Sequence, residues 1–187
     1  MTLSELLAQY DLTEADLSTS LEHRLSIQPL PTSAELTAGE EAFWDRHAGL
    51  PLDALGAPAA TVLARATDET VSVLGEASRS MTIDQAADVL GIHRSRVSHR
   101  LRDGHLYAYR LGTQRRLPRW QLTAGGEPLP GLEAVLATLA TDLHPAAVEG
   151  FFTTPDPDLD GATPAQWLSS GGDPQRIVDE AAGIDQW

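Results

Sequence analysis

The chain has no cysteine and no lysine. Without cysteine there are no disulfides and no thiolate metal sites. All thirteen of its basic residues are therefore arginine. Beside so much alanine, that reads as a GC-rich coding sequence more than as selection for guanidinium chemistry. Aromatics make up only 5% of residues, so the cores must be built mainly from Ala, Leu and Val. No apolar run approaches the ~20 residues that a membrane span requires. The first seventeen residues carry Glu5, Asp11, Glu14 and Asp16 and no base, so they are not expected to be a signal or transit peptide. The chain thus reads as soluble and cytoplasmic, with no membrane association.

What is present is concentrated. Eight arginines fall between Arg94 and Arg119, opposed only by Asp103. Eight positive charges less one negative give this window about +7, so with a net charge of -14 the remainder carries about -21. An acidic chain that gathers its positive charge in one stretch is presenting it to a polyanion.

The pattern is mainly helical. Residues 1–80 read as a helical region, with Leu3, Leu6, Leu7 and Tyr10 on one face and Leu17, Leu21 and Leu25 on another. A loop is expected over 27–33. The capping box Thr37-Ala-Gly-Glu40 should open a helix through Phe43 and Trp44. A longer amphipathic helix over 57–80 presents Val62, Leu63, Ala66, Thr70, Val73, Leu74 and Ala77. This region has no basic face and is expected to support dimerisation.

Residues 81–122 form the basic unit. Thr82-Ile-Asp-Gln85 is a second capping box. Ala86, Val89 and Leu90 give the following helix its apolar face, and Gly91 ends it. A second helix runs from about Arg94 to Arg102, closed by Gly104. Val97 and Leu101, four apart, must face the core. At about 100° per residue, Ser95, His99, Arg102 and, more obliquely, Arg96 then point away from it, while Arg94 and Arg100 flank the apolar stripe. The N-terminal half of a recognition helix meets base edges, which assigns Ser95, Arg96 and His99 to base readout. Leu106 to Leu111 alternates as a strand. Gly112-Thr113 turns it, and Arg115-Arg-Leu-Pro118 returns as a wing, placing Arg115 and Arg116 near a phosphate backbone or minor groove; Arg110 is also expected to bind DNA. Trp120 and Leu122 are expected to close the small core. His93, His99 and His105 lack metal-ligand spacing, so no metal and no cofactor is expected.

The run Thr82-Ile-Asp-Gln-Ala-Ala-Asp-Val-Leu-Gly-Ile-His-Arg-Ser-Arg-Val97, with Leu101-Arg-Asp-Gly104, Leu106, Ala108-Tyr-Arg-Leu-Gly112 and Arg116-Leu-Pro118, resembles the excisionase-family (MerR-like) winged helix-turn-helix. That resemblance implies binding to double-stranded DNA. The small hydroxyl residue usual at the start of its second helix is His93 here.

Residues 123–130 read as a Gly/Pro linker and 131–187 as a helical domain. It is expected to contain a helix over Leu132–Leu143, another opened by Pro145, a third capped by Thr163, and a last one begun by Asp173-Pro174. Phe151-Phe-Thr-Thr-Pro155, Leu159-Asp-Gly161, Thr163-Pro164, Gln166-Trp-Leu168 and Gly171-Gly-Asp173 resemble the toxin-binding domain of Xre/MbcA/ParS-like antitoxins over about 131–185. In that family the domain blocks a RES-domain toxin that consumes NAD. The resemblance implies partner contacts at Trp167, Leu168, Gly171 and Gly172, although a buried and an exposed tryptophan look alike in sequence. Trp187 either inserts into a partner or frays.

The sequence reading is therefore a non-enzymatic, homodimeric antitoxin that represses its own operon and neutralises a RES-type toxin. The alternatives are an excisionase-like architectural factor, or a MerR-like regulator whose C-terminal domain takes another partner or a small molecule. No nucleophile–base pair and no phosphate-binding glycine loop suggests an enzyme.

Overall fold

A computed structural model describes residues 2–27, 56–140 and 143–182. The capping box at Thr37, the helix through Phe43 and Trp44, and Trp187 lie outside the described residues. The chain divides into two compact units, Met1–Glu76 and Ala77–Trp187.

The first unit contains α1 (Leu3–Ala8), α2 (Glu14–Ile27) and most of α3 (Gly56–Arg79). Thr2 and Glu5 form a capping box at the start of α1. The expected apolar face is only partly inward: Leu7 is buried, whereas Leu3 is exposed, because α1 is barely two turns long. Leu12, Leu17 and Val73 are also buried. Arg24 of α2 bonds Glu69 at 3.1 Å and Glu76 at 2.5 Å on α3. Burial alone would lower the Arg24 pKa, but the two carboxylates outweigh it and hold the guanidinium charged.

The second unit opens with β1 (Ser80–Thr82), followed by α4 (Ile83–Leu90), α5 (Arg94–Arg102), β2 (Tyr109–Leu111) and β3 (Gln114–Pro118). The strands form one antiparallel sheet in the order β1-β3-β2. Two strands were expected and a third is present. Thr82 explains why β1 escapes detection: it pairs with Arg116 in the sheet and is also the N-cap of α4. Its hydroxyl accepts from the Gln85 amide at 3.2 Å, and the Gln85 side chain accepts from the Thr82 amide at 3.0 Å. Gly91 ends α4 at φ 62.

Met81, Ala86, Ala87, Val97, Leu106 and Leu117 form the core of the winged helix. Val89, expected in that core, is 47% exposed. Its side chain instead lies against Gly126, where an added Cβ would come within 3.2 Å of it. Ala87 takes the inward position.

After β3 come a short 3-10 turn (Arg119–Gln121), α6 (Leu132–Thr138), α7 (Pro145–Thr153), a 3-10 turn (Pro157–Leu159), α8 (Pro164–Ser169) and α9 (Pro174–Ala181). The helix expected over 132–143 is shorter, because Leu139 is already extended at ψ 140. Pro145, Thr163 and Asp173-Pro174 start helices where the sequence placed them.

The segment read as a linker is structured. Leu122 bridges Pro128, the Leu129 amide donates to the Gln121 carbonyl at 2.9 Å, and Leu129 is buried. Trp120 does not close the winged-helix core as expected. It joins the cluster of Leu132, Val135, Val148, Phe152, Leu159, Leu168 and Ile177, and its ring stacks on Phe152 with centroids 4.0 Å apart. Winged helix and C-terminal helices are therefore one compact unit, because aromatic area on the last turn of one is buried in the core of the other.

Candidate nucleic-acid interface

Helix α5 carries the site. Val97 is fully buried, and that fixes the phase of the helix. Arg94, Ser95, Arg96, His99 and Arg102 are exposed, while Arg100 is half-buried beside the apolar stripe. This is the disposition expected from the spacing of Val97 and Leu101. Arg96, His99, Arg100 and Asp103 line one shallow depression of about 280 Å³. Arg94 lies 3.5 Å from Asp84, but both side chains are more than 60% exposed (63% and 68%). Such a pair contributes little and yields readily to a stronger anion.

His93 substitutes for the missing hydroxyl cap. Its Nδ1 accepts from the Ser95 amide at 3.3 Å and stands 2.9 Å from the Ser95 hydroxyl. An imidazole that accepts at Nδ1 carries its proton on Nε2. The hydroxyl of Ser95 is thus engaged at the helix start, leaving Arg96 and His99 as the better placed of the three residues assigned to base readout.

The wing is a tight hairpin. Gly112, at φ 60, supplies the positive φ that two-residue hairpin turns demand. The register sets Arg110 directly opposite Arg115, and both are exposed. Like charges opposite one another across a strand pair destabilise it. The arrangement is relieved when an anion lies over both.

Arg116, expected beside Arg115 at phosphate, is only 1% exposed. Neighbouring residues of a strand point to opposite faces, so only one of the two can look outward. Arg116 turns in. Its guanidinium donates to Ser80 Oγ at 3.2 Å and to the Ala77 carbonyl at 3.0 Å. Arg119, not assigned a role from sequence, is exposed just beyond β3 and extends the positive surface.

The expected partner residues of the C-terminal helices divide as well. Leu168 is fully buried in the core and has no surface to offer. Trp167 is half-buried: its indole N–H donates to the Asp173 carbonyl at 3.1 Å, and its ring lies so close to Gly172 that a Cβ there would stand 2.4 Å away. The Arg176 guanidinium sits 5.5 Å from the same ring. Gly171 is exposed with φ 84, as a helix C-cap requires. The Gly-Gly pair is thus explained by helix termination and by the seat of Trp167.

Gln121 is the residue sequence reasoning missed. It is fully buried, and its amide donates to the Tyr107 and Pro118 carbonyls, both at 3.0 Å, while accepting from the Tyr107 amide at 2.9 Å. It satisfies backbone groups that no strand reaches. A single glutamine carries no pattern that would reveal this.

Among the described residues, no group of three or more His, Asp or Glu side chains could hold a metal ion, and no helix is long and apolar enough to cross a membrane.

Comparison with curated proteins finds no match. Among solved structures, the NMR structure of Rv2175c is similar at 24% identity, covering 56% of this chain and 80% of that one, with a TM-score of 0.46. Residues 67–120 match the family model described as "DNA-binding protein Rv2175c, wHTH domain". The match begins midway along α3, fourteen residues before the start expected from sequence (81 less 67), and ends at Trp120. This stretch of the chain is a winged helix-turn-helix similar to that of the Rv2175c family.

Proposed function

We propose that this chain is a DNA-binding transcriptional regulator. Helix α5 enters the major groove and the wing lies on the adjacent backbone. The observation that carries this reading is the phase of α5: a fully buried Val97 with Arg94, Arg96, His99 and Arg102 all on the outer side. Arg96 is assigned to guanine O6 and N7, a bidentate pairing that discriminates by roughly 1–3 kcal/mol. Arg94, Arg100, Arg102, Arg110 and Arg115 are assigned to phosphates. The matching family's description as a DNA-binding protein supports the same reading.

The C-terminal resemblance supports a finer one: a homodimeric antitoxin of the cytoplasm that represses its own operon and neutralises a RES-type toxin. With Leu168 buried, the partner surface on this reading is the outer side of α8 and α9, including the exposed Gln166 and Arg176.

A salt titration of operator binding tests the first reading. The affinity should fall steeply, with a slope near -0.9 per phosphate contact. A flat response would refute it, and an Arg96→Ala variant with unchanged affinity and sequence preference would refute the assignment of α5 as the recognition helix. The finer reading fails if the protein encoded by the adjacent reading frame is harmless when expressed alone and does not co-purify with this chain.

A further inference from the structure

A groove of about 640 Å³ lies between the segment leaving α5 and residues of α6 and α7, with Leu139, Ala140 and Leu143. Tyr107, Tyr109, Leu136, Leu139, Leu143 and Val148 line it. A concave, largely apolar site of this size fits a small organic ligand. Its charged groups are distributed unevenly. Within its lining His105 pairs with Glu133. Asp103 lies near the C-terminus of α5, on the side where Arg96 and Arg100 also gather. Arg110 lines the groove too, and among the described residues no carboxylate pairs with it: its guanidinium makes one long bond, to the Thr113 carbonyl at 3.5 Å. It also faces Arg115 across the hairpin, a neighbour of its own sign. An apolar trough lined by a guanidinium that has no carboxylate partner among the described residues is complementary to a molecule with an apolar body and one carboxylate.

We infer that this groove is an effector site for a small amphipathic monocarboxylate, whose apolar body lies against Leu136, Leu139 and Val148 and whose carboxylate takes Arg110. The regulatory half of the inference rests on the DNA-binding reading above. Arg110 belongs to the wing, so a carboxylate that neutralises it removes a phosphate contact and weakens the hold on DNA. The aromatic lining gives a second route, since Tyr107 stacks with Trp120 at 6.3 Å and Trp120 with Phe152 at 4.0 Å, all within the same compact unit.

The test uses the full chain and decanoate, kept below the concentration at which it forms micelles, with 1-decanol as the uncharged control. Amide shifts in nuclear magnetic resonance and calorimetric titration, both without DNA, report binding. Decanoate should shift the amides of Gly104, Tyr107, Ala108 and Leu139 and bind more tightly than decanol. Arg110→Ala should lower the decanoate affinity roughly three- to tenfold, the range for one charge-assisted contact at an exposed rim, and leave decanol unchanged. Ala137→Trp, at an exposed position on the groove wall, should block both ligands and leave DNA binding intact. Shifts scattered over the surface, equal affinity for decanol, or indifference to Arg110→Ala would overturn the site. So would groove shifts that appear with rising protein concentration alone, which would mark a second copy as the occupant. In a separate arm, saturating decanoate should weaken DNA binding by wild type. A chain that takes decanoate but no DNA overturns the DNA reading and the coupling while the carboxylate site stands. A chain that binds DNA and shows no groove shifts overturns the site alone.

Discussion

The guanidinium of Arg116 donates to the carbonyl oxygen of Ala77 at 3.0 Å, tying strand β3 to the C-terminal end of α3 across 39 residues of sequence. Its neighbour Arg115 is exposed on the opposite face of the same strand. Two adjacent arginines therefore serve different ends, and they separate experimentally. Arg115→Ala should reduce the salt slope of DNA binding by about 1 and leave thermal stability unchanged or slightly raised, since it removes the like charge opposite Arg110. Arg116→Met should cost about 2–4 kcal/mol of stability, because Ser80 and Ala77 lose their donor in a buried place. Denaturant titration beside a binding curve for each variant checks both. Equal effects of the two variants on stability would contradict the assignment.

His93 caps α5 through its ring nitrogen. His93→Ala should destabilise the winged helix by about 1 kcal/mol, and His93→Asn should restore most of that, since asparagine is among the best N-cap residues. Chemical denaturation of the three proteins measures it. An alanine variant as stable as wild type would mean that the cap contributes nothing.

Gln121 satisfies three backbone groups from within the core. Gln121→Leu keeps the apolar volume and removes every one of those bonds, so a loss of about 2–4 kcal/mol is expected. Hydrogen exchange should show the Tyr107 amide losing its protection in particular. Unchanged protection there would sink this account.

The Glu180 carboxyl is pushed up to about 7, first by burial, then by its hydrogen bond with Asp156 and the negative charges of Asp156 and Asp158. Asp156 is held below its usual range, chiefly by that same hydrogen bond. The signs are opposite. Glu180 keeps its proton in the folded chain at pH values where the unfolded chain has lost it, so its contribution is full below about 4.5 and is lost as pH rises through about 7. Asp156 contributes above its ordinary value of 3.8 and loses that contribution as pH falls. The junction of α9 with the 3-10 turn at Pro157–Leu159 should therefore be firmest in mildly acidic solution. Glu180→Gln, which donates at every pH, should flatten the decline in melting temperature between about pH 5 and 8. A wild-type curve with no decline over that range would rule the pair out as its source.

Phe152 joins the two halves of the second unit through Trp120. Phe152→Ala should destabilise by about 3–5 kcal/mol. Because the aromatic stack belongs to both halves, the winged-helix and C-terminal amides should lose protection together. Loss confined to the C-terminal helices would show that the halves fold separately.

Much of the interface was legible in the sequence because it obeys local rules. The capping box at Thr82, the glycine stop at Gly91 and the i, i+4 pair of Val97 and Leu101 set the limits and the phase of α4 and α5, and the structure keeps them. The wing hairpin was readable from alternation and Gly112. Strand β1 was not, since three residues leave no period to detect.

What the sequence alone determined is the existence of a basic helix-turn-helix with a wing in an acidic, mainly helical chain, and which side chains of the second helix look outward. These follow from short-range geometry: caps, helical period and charge. Only the tertiary structure decided that Arg116 is a buried clamp, that Trp120 belongs to the C-terminal core, that Leu168 is hidden, and that the Gly/Pro segment is an ordered turn rather than a tether. The physical reason is common to all four. Which face of a strand or a turn is buried depends on what packs against it from far along the chain, and no local spacing records that.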